Sequence, residues 1–146
     1  ETIPALYWWA ANFGRYLTTK PVLTRIESRE IIETAMHRIA TLAEDYYYGG
    51  PTRFFGTFYS RLPGVPLDRA KSNFDQSLTD SPDYLGTRVL RARYYHTKLG
   101  NRDLFEEDLN YVINADPSAL PDAMPENLFE QEKAKELLKH TSILFE

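Results

Sequence analysis

The chain contains no cysteine, which excludes disulfides, thiolate metal sites and cysteine nucleophiles and leaves the redox compartment open. It has no apolar run long enough to cross a bilayer as a helix. Positive charge is also short. Seventeen Lys and Arg against 21 Asp and Glu leave a net charge of −4, which argues against a protein built to grip phosphate backbones, so no nucleic-acid partner is expected. The three histidines, His37, His96 and His140, lie far apart with no H-x₃-H or H-E-x₂-H spacing, so no zinc site is expected. Gly49-Gly50-Pro51 has no Lys-Ser/Thr after it and is not a phosphate loop. No Ser sits in a nucleophile elbow. The sequence therefore predicts no catalytic residue, no metal and no cofactor, and hence no enzyme. It opens at Glu1 without Met, leader or lipid-accepting Cys and turns helical almost at once, so it is expected to be the C-terminal part of a longer precursor.

Aromatic residues are abundant instead: ten Tyr, eight Phe and two Trp, 14% of 146 residues. Residues 1–146 read as a single domain, and a chain of that length buries about 70% of the surface its unfolded form exposes. No segment alternates like a half-buried strand, and apolar residues recur instead at helical spacing. Helices are expected from Pro4 to Thr19, from Thr24 to Ala43, and from Pro51 to Arg61. Four more follow: Asp68 to Asp80, Tyr84 to Leu99, Asp103 to Asn114, and a last one through Leu128, Ala134, Leu137 and Leu138. Thr24/Glu27 and Asp103/Glu106 have capping-box spacing, and Asp68 is placed to cap its helix. Gly49-Gly50-Pro51 punctuates the chain, with two residues free to take positive φ and a proline suited to a first helical turn.

The second helix of each pair carries a triplet at fixed offsets: Ala35/Ile39/Leu42, Ala70/Phe74/Ser77 and Phe105/Leu109/Val112, starting 35 residues apart, with Pro82 and Pro117 at the same interval. That period marks helix-pair repeats of the tetratricopeptide kind. The expected fold is all-α, about seven helices stacked as tetratricopeptide-like pairs in a curved α-solenoid. A helix pair cannot bury its apolar face alone, so neighbours stack and the first helices line the inner surface. Most of the aromatics there serve the core. Those in excess of packing needs, with the arginines on the same helices, are candidates to line a groove for a ligand or partner segment. The residues so singled out are Trp8, Trp9, Tyr47, Arg53, Phe54, Arg61, Arg93, Tyr95 and His96. Arg53, after the Gly-Gly-Pro turn, is also placed to bond carbonyls that end the preceding helix. His96 lies on an apolar stripe, where a satisfied core histidine is the plain expectation. Glu106, Glu107 and Asp108 read as capping and solvated carboxylates.

Three stretches together resemble one family. Pro4-Ala5-Leu6-Tyr7-Trp8-Trp9-Ala10 is similar to its LYW-x-A helix. Tyr48-Gly49-Gly50-Pro51-Thr52-Arg53-Phe54-Phe55-Gly56 is similar to its Y-x-G-G-x-x-R-x-x-G turn. Glu126-Asn127-Leu128 with Ala134-Lys135-Glu136-Leu137-Leu138 is similar to its closing helix. The family is the T-component of TRAP (tripartite ATP-independent periplasmic) transporters. The resemblance implies a non-enzymatic helical-repeat protein, periplasmic and lipid-anchored in its full precursor. Its partner would be the substrate-binding component of a TRAP transporter, and it would offer a hydrophobic groove to ligand. Two alternatives stay open at this point. One is a soluble carrier of an apolar or carboxylate-bearing small molecule, another a generic tetratricopeptide adaptor, and a homo-oligomer is compatible with each.

Overall fold

Helix α1 (Ile3–Leu17) forms where Pro4 supplies a first-turn residue with no N–H to satisfy. Its Tyr7, Ala10 and Leu17 face inward. The computed structural model describes residues 2–146, and among them all regular structure is helical. After a turn at Pro21, α2 (Val22–Glu27) and α3 (Arg29–Leu42) follow one another across a kink at Ser28. The helix expected from Thr24 is thus two helices. Thr24 and Glu27 both lie inside α2 and form no capping box. Helix α3 buries Ile32, Ala35, Met36 and Ile39, a stripe at 3.6-residue spacing. Leu42, placed on that stripe by the repeat, is 53% exposed at the helix end.

Helix α4 (Tyr46–Arg61) has an unusual start. Tyr47, Tyr48 and Gly49 have φ of 51°, 57° and 68°, so one left-handed turn precedes the right-handed helix that Pro51 helps to open. Gly50, expected to share the positive φ, is needed for space instead. A Cβ there would come within 2.9–3.0 Å of the Tyr7 ring and hydroxyl. Helix α5 (Leu67–Asp80) buries Ala70, Phe74 and Ser77 against α4. Asp68 sits inside its first turn, where a carboxylate suits the helix dipole, and makes no capping bond. Gly56 sets the approach of this pair, because a Cβ there would meet the buried Phe74 ring at 2.8 Å. Gly56→Ala is expected to cost about 1–3 kcal/mol through overpacking, read as a lowered Tm in thermal unfolding.

The next rod is one helix in three registers: α6 (Gly86–Leu90), a π-helical stretch (Arg91–His96) and α7 (Thr97–Leu99), ending at the left-handed Gly100. The wider π turn rotates everything after it. Leu85, Val89, Ala92 and His96 are buried as their spacing predicts, but Leu99 swings out to 47% exposure. Helix α8 (Arg102–Asn114) is capped by Asn101, whose side chain accepts from the Leu104 N–H at 3.1 Å. The predicted Asp103/Glu106 box does not form. Glu106 pairs with Arg102 instead. Two short 3₁₀ turns lead to α9 (Met124–Lys139) and the terminal α10 (Thr141–Leu144).

These helices pack as successive neighbours. Helix α1 lies on α3, α4 on α5, and the rod from α6 through the π stretch on α8, with α9 packed against α8. One apolar core joins Tyr7 and Ala10 of α1 to Met36 and Ile39 of α3, Phe55 and Tyr59 of α4, Phe74 of α5 and Tyr95. A second joins Leu85, Val89, Ala92, Phe105, Leu109, Val112 and Ala134. Eight of the nine repeat-triplet residues are buried, so the 35-residue register does place the core.

Two buried polar groups lock α9 and α8 in place. Asn127 accepts from the Leu85 N–H at 3.0 Å and donates to the Asp83 carbonyl at 2.9 Å, tying α9 to the start of α6. Asp108, 2% exposed, is not a solvated carboxylate. Arg91 holds it with two bonds of 2.7 Å, Arg88 with one of 2.8 Å and His96 Nε2 at 3.1 Å. The π turn makes this possible, since its wider pitch brings residues five apart, Arg91 and His96, toward one face. Burial pushes the Asp108 carboxyl up, but the bonds from Arg91, His96 and Arg88 outweigh it and hold the group at about 2, down from the usual 3.8. A folded value that far below the unfolded one contributes about 2 kcal/mol at neutral pH. The contribution is complete above the unfolded value and is lost as pH falls from about 4 toward 2. Urea titrations across that window should show this acid-side loss in the parent and not in an Asp108→Asn variant.

Candidate functional site

The first helices of the successive pairs share one cavity of about 330 Å³. Trp8, Ala11 and Arg15 of α1 form one wall, and Tyr47, Phe54, Phe58 and Arg61 of α4 another. Tyr84, Leu90 and Tyr94 close the third, while Arg25 of α2 and Glu130 and Lys133 of α9 sit at its edge. The aromatic rings of the wall fall into two groups. Trp8 meets Tyr47 edge-on at 5.2 Å, Tyr47 meets Tyr84 at 5.7 Å, and Phe54 stacks on Phe58 at 5.5 Å.

Arg53 is the keystone of that wall. It is 4% exposed, and its two terminal nitrogens donate to the Tyr48 and Tyr47 carbonyls at 2.8 and 2.9 Å. These are the residues forced into the left-handed turn, so the guanidinium satisfies carbonyls that no helix can take. The same group lies 4.2 Å from the Tyr84 ring centroid and 5.5 Å from that of Tyr47. Burial raises the Tyr84 hydroxyl well above its ordinary value, with the Arg53 charge opposing. Burial likewise raises Tyr7, again against the Arg53 charge. Both phenols therefore stay neutral donors at physiological pH.

The cavity is cationic within an acidic protein. Among the described residues Arg15, Arg25, Arg53, Arg61 and Lys133 face a single acid, Glu130, and Lys133 is bonded to it at 2.7 Å. Arg61 lies over the Tyr94 ring at 4.7 Å. Among the described residues no carboxylate pairs with Arg15, Arg25 or Arg61. Arg25 Nε and Thr57 Oγ1, both in cavity-lining residues, are buried without a hydrogen-bond partner. A buried donor left unmade costs about 1–3 kcal/mol. Such donors beside an aromatic wall suit a guest with an anionic or carbonyl end and an apolar body. Among the described residues no group of His, Asp and Glu converges as a metal site.

Of the residues singled out in the sequence, Trp8, Tyr47, Arg53, Phe54 and Arg61 line the cavity. Four do not. Trp9 stacks on Phe13 at 5.4 Å on the outer side of α1, and Arg93 reaches only the neighbouring Tyr94 ring. Tyr95 is buried beside Phe74 in the first core, and His96 is bonded to Asp108. They belong to the same rod as Tyr94, but the π turn sets them on other faces. Phe58 and Tyr84, aromatics of the first helices that the sequence did not single out, line the cavity too, whereas sequence periodicity missed Arg15, Arg25 and Lys133. Arg25 and Lys133 come from helices 108 positions apart in the numbering, and no local pattern links them. Among the described residues no helix is long and apolar enough to cross a membrane. The family model of the TRAP transporter T-component matches residues 1–145. No curated protein sequence matches the chain.

Proposed function

The chain belongs to the TRAP transporter T-component family over residues 1–145, and on that premise we propose that it is a non-enzymatic scaffold that meets the transporter's substrate-binding component. The family is a component of an envelope transport system and not an enzyme family. In this reading the helix pairs form a tetratricopeptide-like solenoid, held on the periplasmic side by a lipid anchor in the full precursor. The cavity between the first helices takes an apolar ligand bearing a carboxylate. The observation that carries the proposal is the cavity wall itself: Trp8, Tyr47, Phe54 and Tyr84 beside Arg25 and Arg61. Aromatics and arginines are also the residues that dominate protein hot spots, so the same rim suits a docking partner.

Calorimetric titration against the TRAP substrate-binding component encoded with this protein tests the association. Micromolar or tighter binding, weakened at least tenfold by Arg61→Ala with an unchanged Tm, is the expected result. No heat with a correctly folded pair counts against it. The carrier alternative draws support from the unpartnered Arg25 Nε and Thr57 Oγ1, which a ligand head group would satisfy without any protein partner.

A further inference from the structure

The cavity has two unlike ends. Helices α1 and α4 and the rod that begins with α6 run the same way along it. Trp8, Tyr47 and Tyr84 meet near their starts, Gly14 lies beside Phe54 midway, and Arg61 meets Tyr94 toward their ends. Two of the walls repeat one order. On α1 it is Trp8, Ala11 and Arg15, and on α4 Phe54, Phe58 and Arg61, at spacings that share a helix face. At the aromatic end the charges are already bonded: Arg53 by the Tyr47 and Tyr48 carbonyls, and Lys133 by Glu130. Glu130, its side chain 12% exposed, stands at this end, with its carboxyl carbon 3.5 Å from where a Cβ on Gly86 would lie. The other end differs. Among the described residues no carboxylate pairs with its three guanidinium groups, those of Arg15, Arg25 and Arg61. Thr57, one turn before Arg61, leaves its Oγ1 buried and unbonded, whereas Thr52 and Ser60 bond carbonyls of the same helix. The C-terminal ends of α1 and α4 lie here too, each carrying about half a negative charge, which the three guanidinium groups together exceed.

We propose that the guest lies in the cavity in one direction only, with its carboxylate at Arg25, Thr57 and Arg61. Its chain then runs back along Phe58, Phe54 and Ala11, and its far end meets Trp8 and Tyr84. The proposal rests on the cavity's taking an alkyl carboxylate, and it adds where each end of that guest lies. The reverse direction sets the carboxylate beside Glu130 and leaves Arg25 Nε and Thr57 Oγ1 buried with nothing to bond. Arg53 offers no substitute there, because its donors are taken by carbonyls. Trp8 and Arg15 are seven residues apart, about 10 Å along a helix, so a chain the length of octanoate reaches from one end to the other. Thr57, Arg61 and Arg25 thereby select the head group, while the aromatic end sets the chain length.

Two octanoates test the direction, one brominated beside the carboxyl and one at the terminal carbon, because bromine quenches a tryptophan that it touches. With Trp9→Phe, Trp8 is the sole reporter and stands at the aromatic end. In a second chain, Phe58→Trp with Trp8→Phe and Trp9→Phe, the reporter stands next to Thr57. At saturation the terminal bromine should quench Trp8 at least threefold more than the bromine beside the carboxyl, and the ranking should invert at position 58. The Trp8 ranking stands alone where the second chain does not fold. Thr57→Val keeps the side-chain shape and removes the hydroxyl, so it should weaken octanoate at least threefold and leave octanol unchanged. Stronger quenching of Trp8 by the acid brominated beside its carboxyl, or equal quenching by both, overturns the proposal while leaving the cavity a ligand site. Octanoate binding that Thr57→Val leaves intact overturns it in the same way. Absence of saturable quenching by either acid in a folded protein overturns both the direction and the ligand site.

Discussion

Asp108→Ala should lower stability by about 3 kcal/mol or more, a loss of roughly 10 °C in Tm for a domain of this size. Among the described residues the carboxylate is the one acid that Arg88, Arg91 and His96 share, and Arg91 has just a longer, 3.4 Å contact to Asp75 besides. Removing it leaves two guanidinium groups, each about four-fifths shielded from solvent, facing each other across a hole. Burying a charge without its partner is what makes such truncations severe. Replacing the whole cluster should cost less. A variant with Asp108→Leu, Arg91→Met and Arg88→Met keeps the apolar volume and removes the uncompensated charge, so it should recover part of the loss. Chemical denaturation of the single and triple variants checks both outcomes. The effect should also spread along the rod, because the π stretch exists to bring Arg91 and His96 to one carboxylate. Amide exchange in residues 91–99 should accelerate in Asp108→Ala more than exchange in α4 and α5.

Arg53→Ala is expected to cost about 2–4 kcal/mol, and Arg53→Lys should recover little of it. The guanidinium makes two charge-assisted bonds to the Tyr47 and Tyr48 carbonyls, each worth about 1.5–3 kcal/mol in a shielded place. Lysine has no planar fork to serve both at once. The left-handed conformation of two tyrosines costs about 1–2 kcal/mol per residue, and it persists only while the surrounding bonds hold it. Without Arg53 the turn should relax, and Tyr47 and Tyr84 should lose their shared cation. Thermal unfolding measures the stability loss. The near-ultraviolet circular dichroism of the tyrosine cluster should weaken in parallel, which a simple surface change would not cause.

The repeat register was legible in the sequence because it rests on local spacing. Ala70, Phe74 and Ser77 stand where the period puts them, and the prolines and glycines mark the ends of the helices they follow or precede. Capping was read less well. Asn101 caps α8 and not Asp103, two residues on, because the backbone leaves the Gly100 turn earlier than a box would need. The kink at Ser28 and the π turn at Arg91–His96 left no mark in the pattern. Both insert a rotation that depends on what the next helix offers, and for the π turn that is Asp108, 17 residues beyond Arg91. Asp108 itself hides in a run of acids, Glu106-Glu107-Asp108, in which only the third faces inward. The positive φ expected at Gly49 and Gly50 falls on Tyr47, Tyr48 and Gly49 because Arg53 holds the tyrosine carbonyls and Tyr7 takes the space beside Gly50. The cavity was half visible. Trp8, Phe54, Arg61 and Tyr84 follow from their places on first helices and Tyr47 from the connector before one, whereas Arg25 and Lys133 reach it through tertiary packing alone.

The most direct measurement compares two guests that differ only at the head group. With Trp9→Phe, Trp8 on the cavity wall is the sole tryptophan, and its emission is followed during titration with a medium-chain alkyl carboxylate and with the alcohol of equal length. Saturable binding of the carboxylate, at least tenfold tighter than the alcohol and reduced to the alcohol's level in Arg25→Ala/Arg61→Ala, is the predicted result. Equal affinity for both guests, or no saturable change in Trp8 with a folded protein, would contradict it.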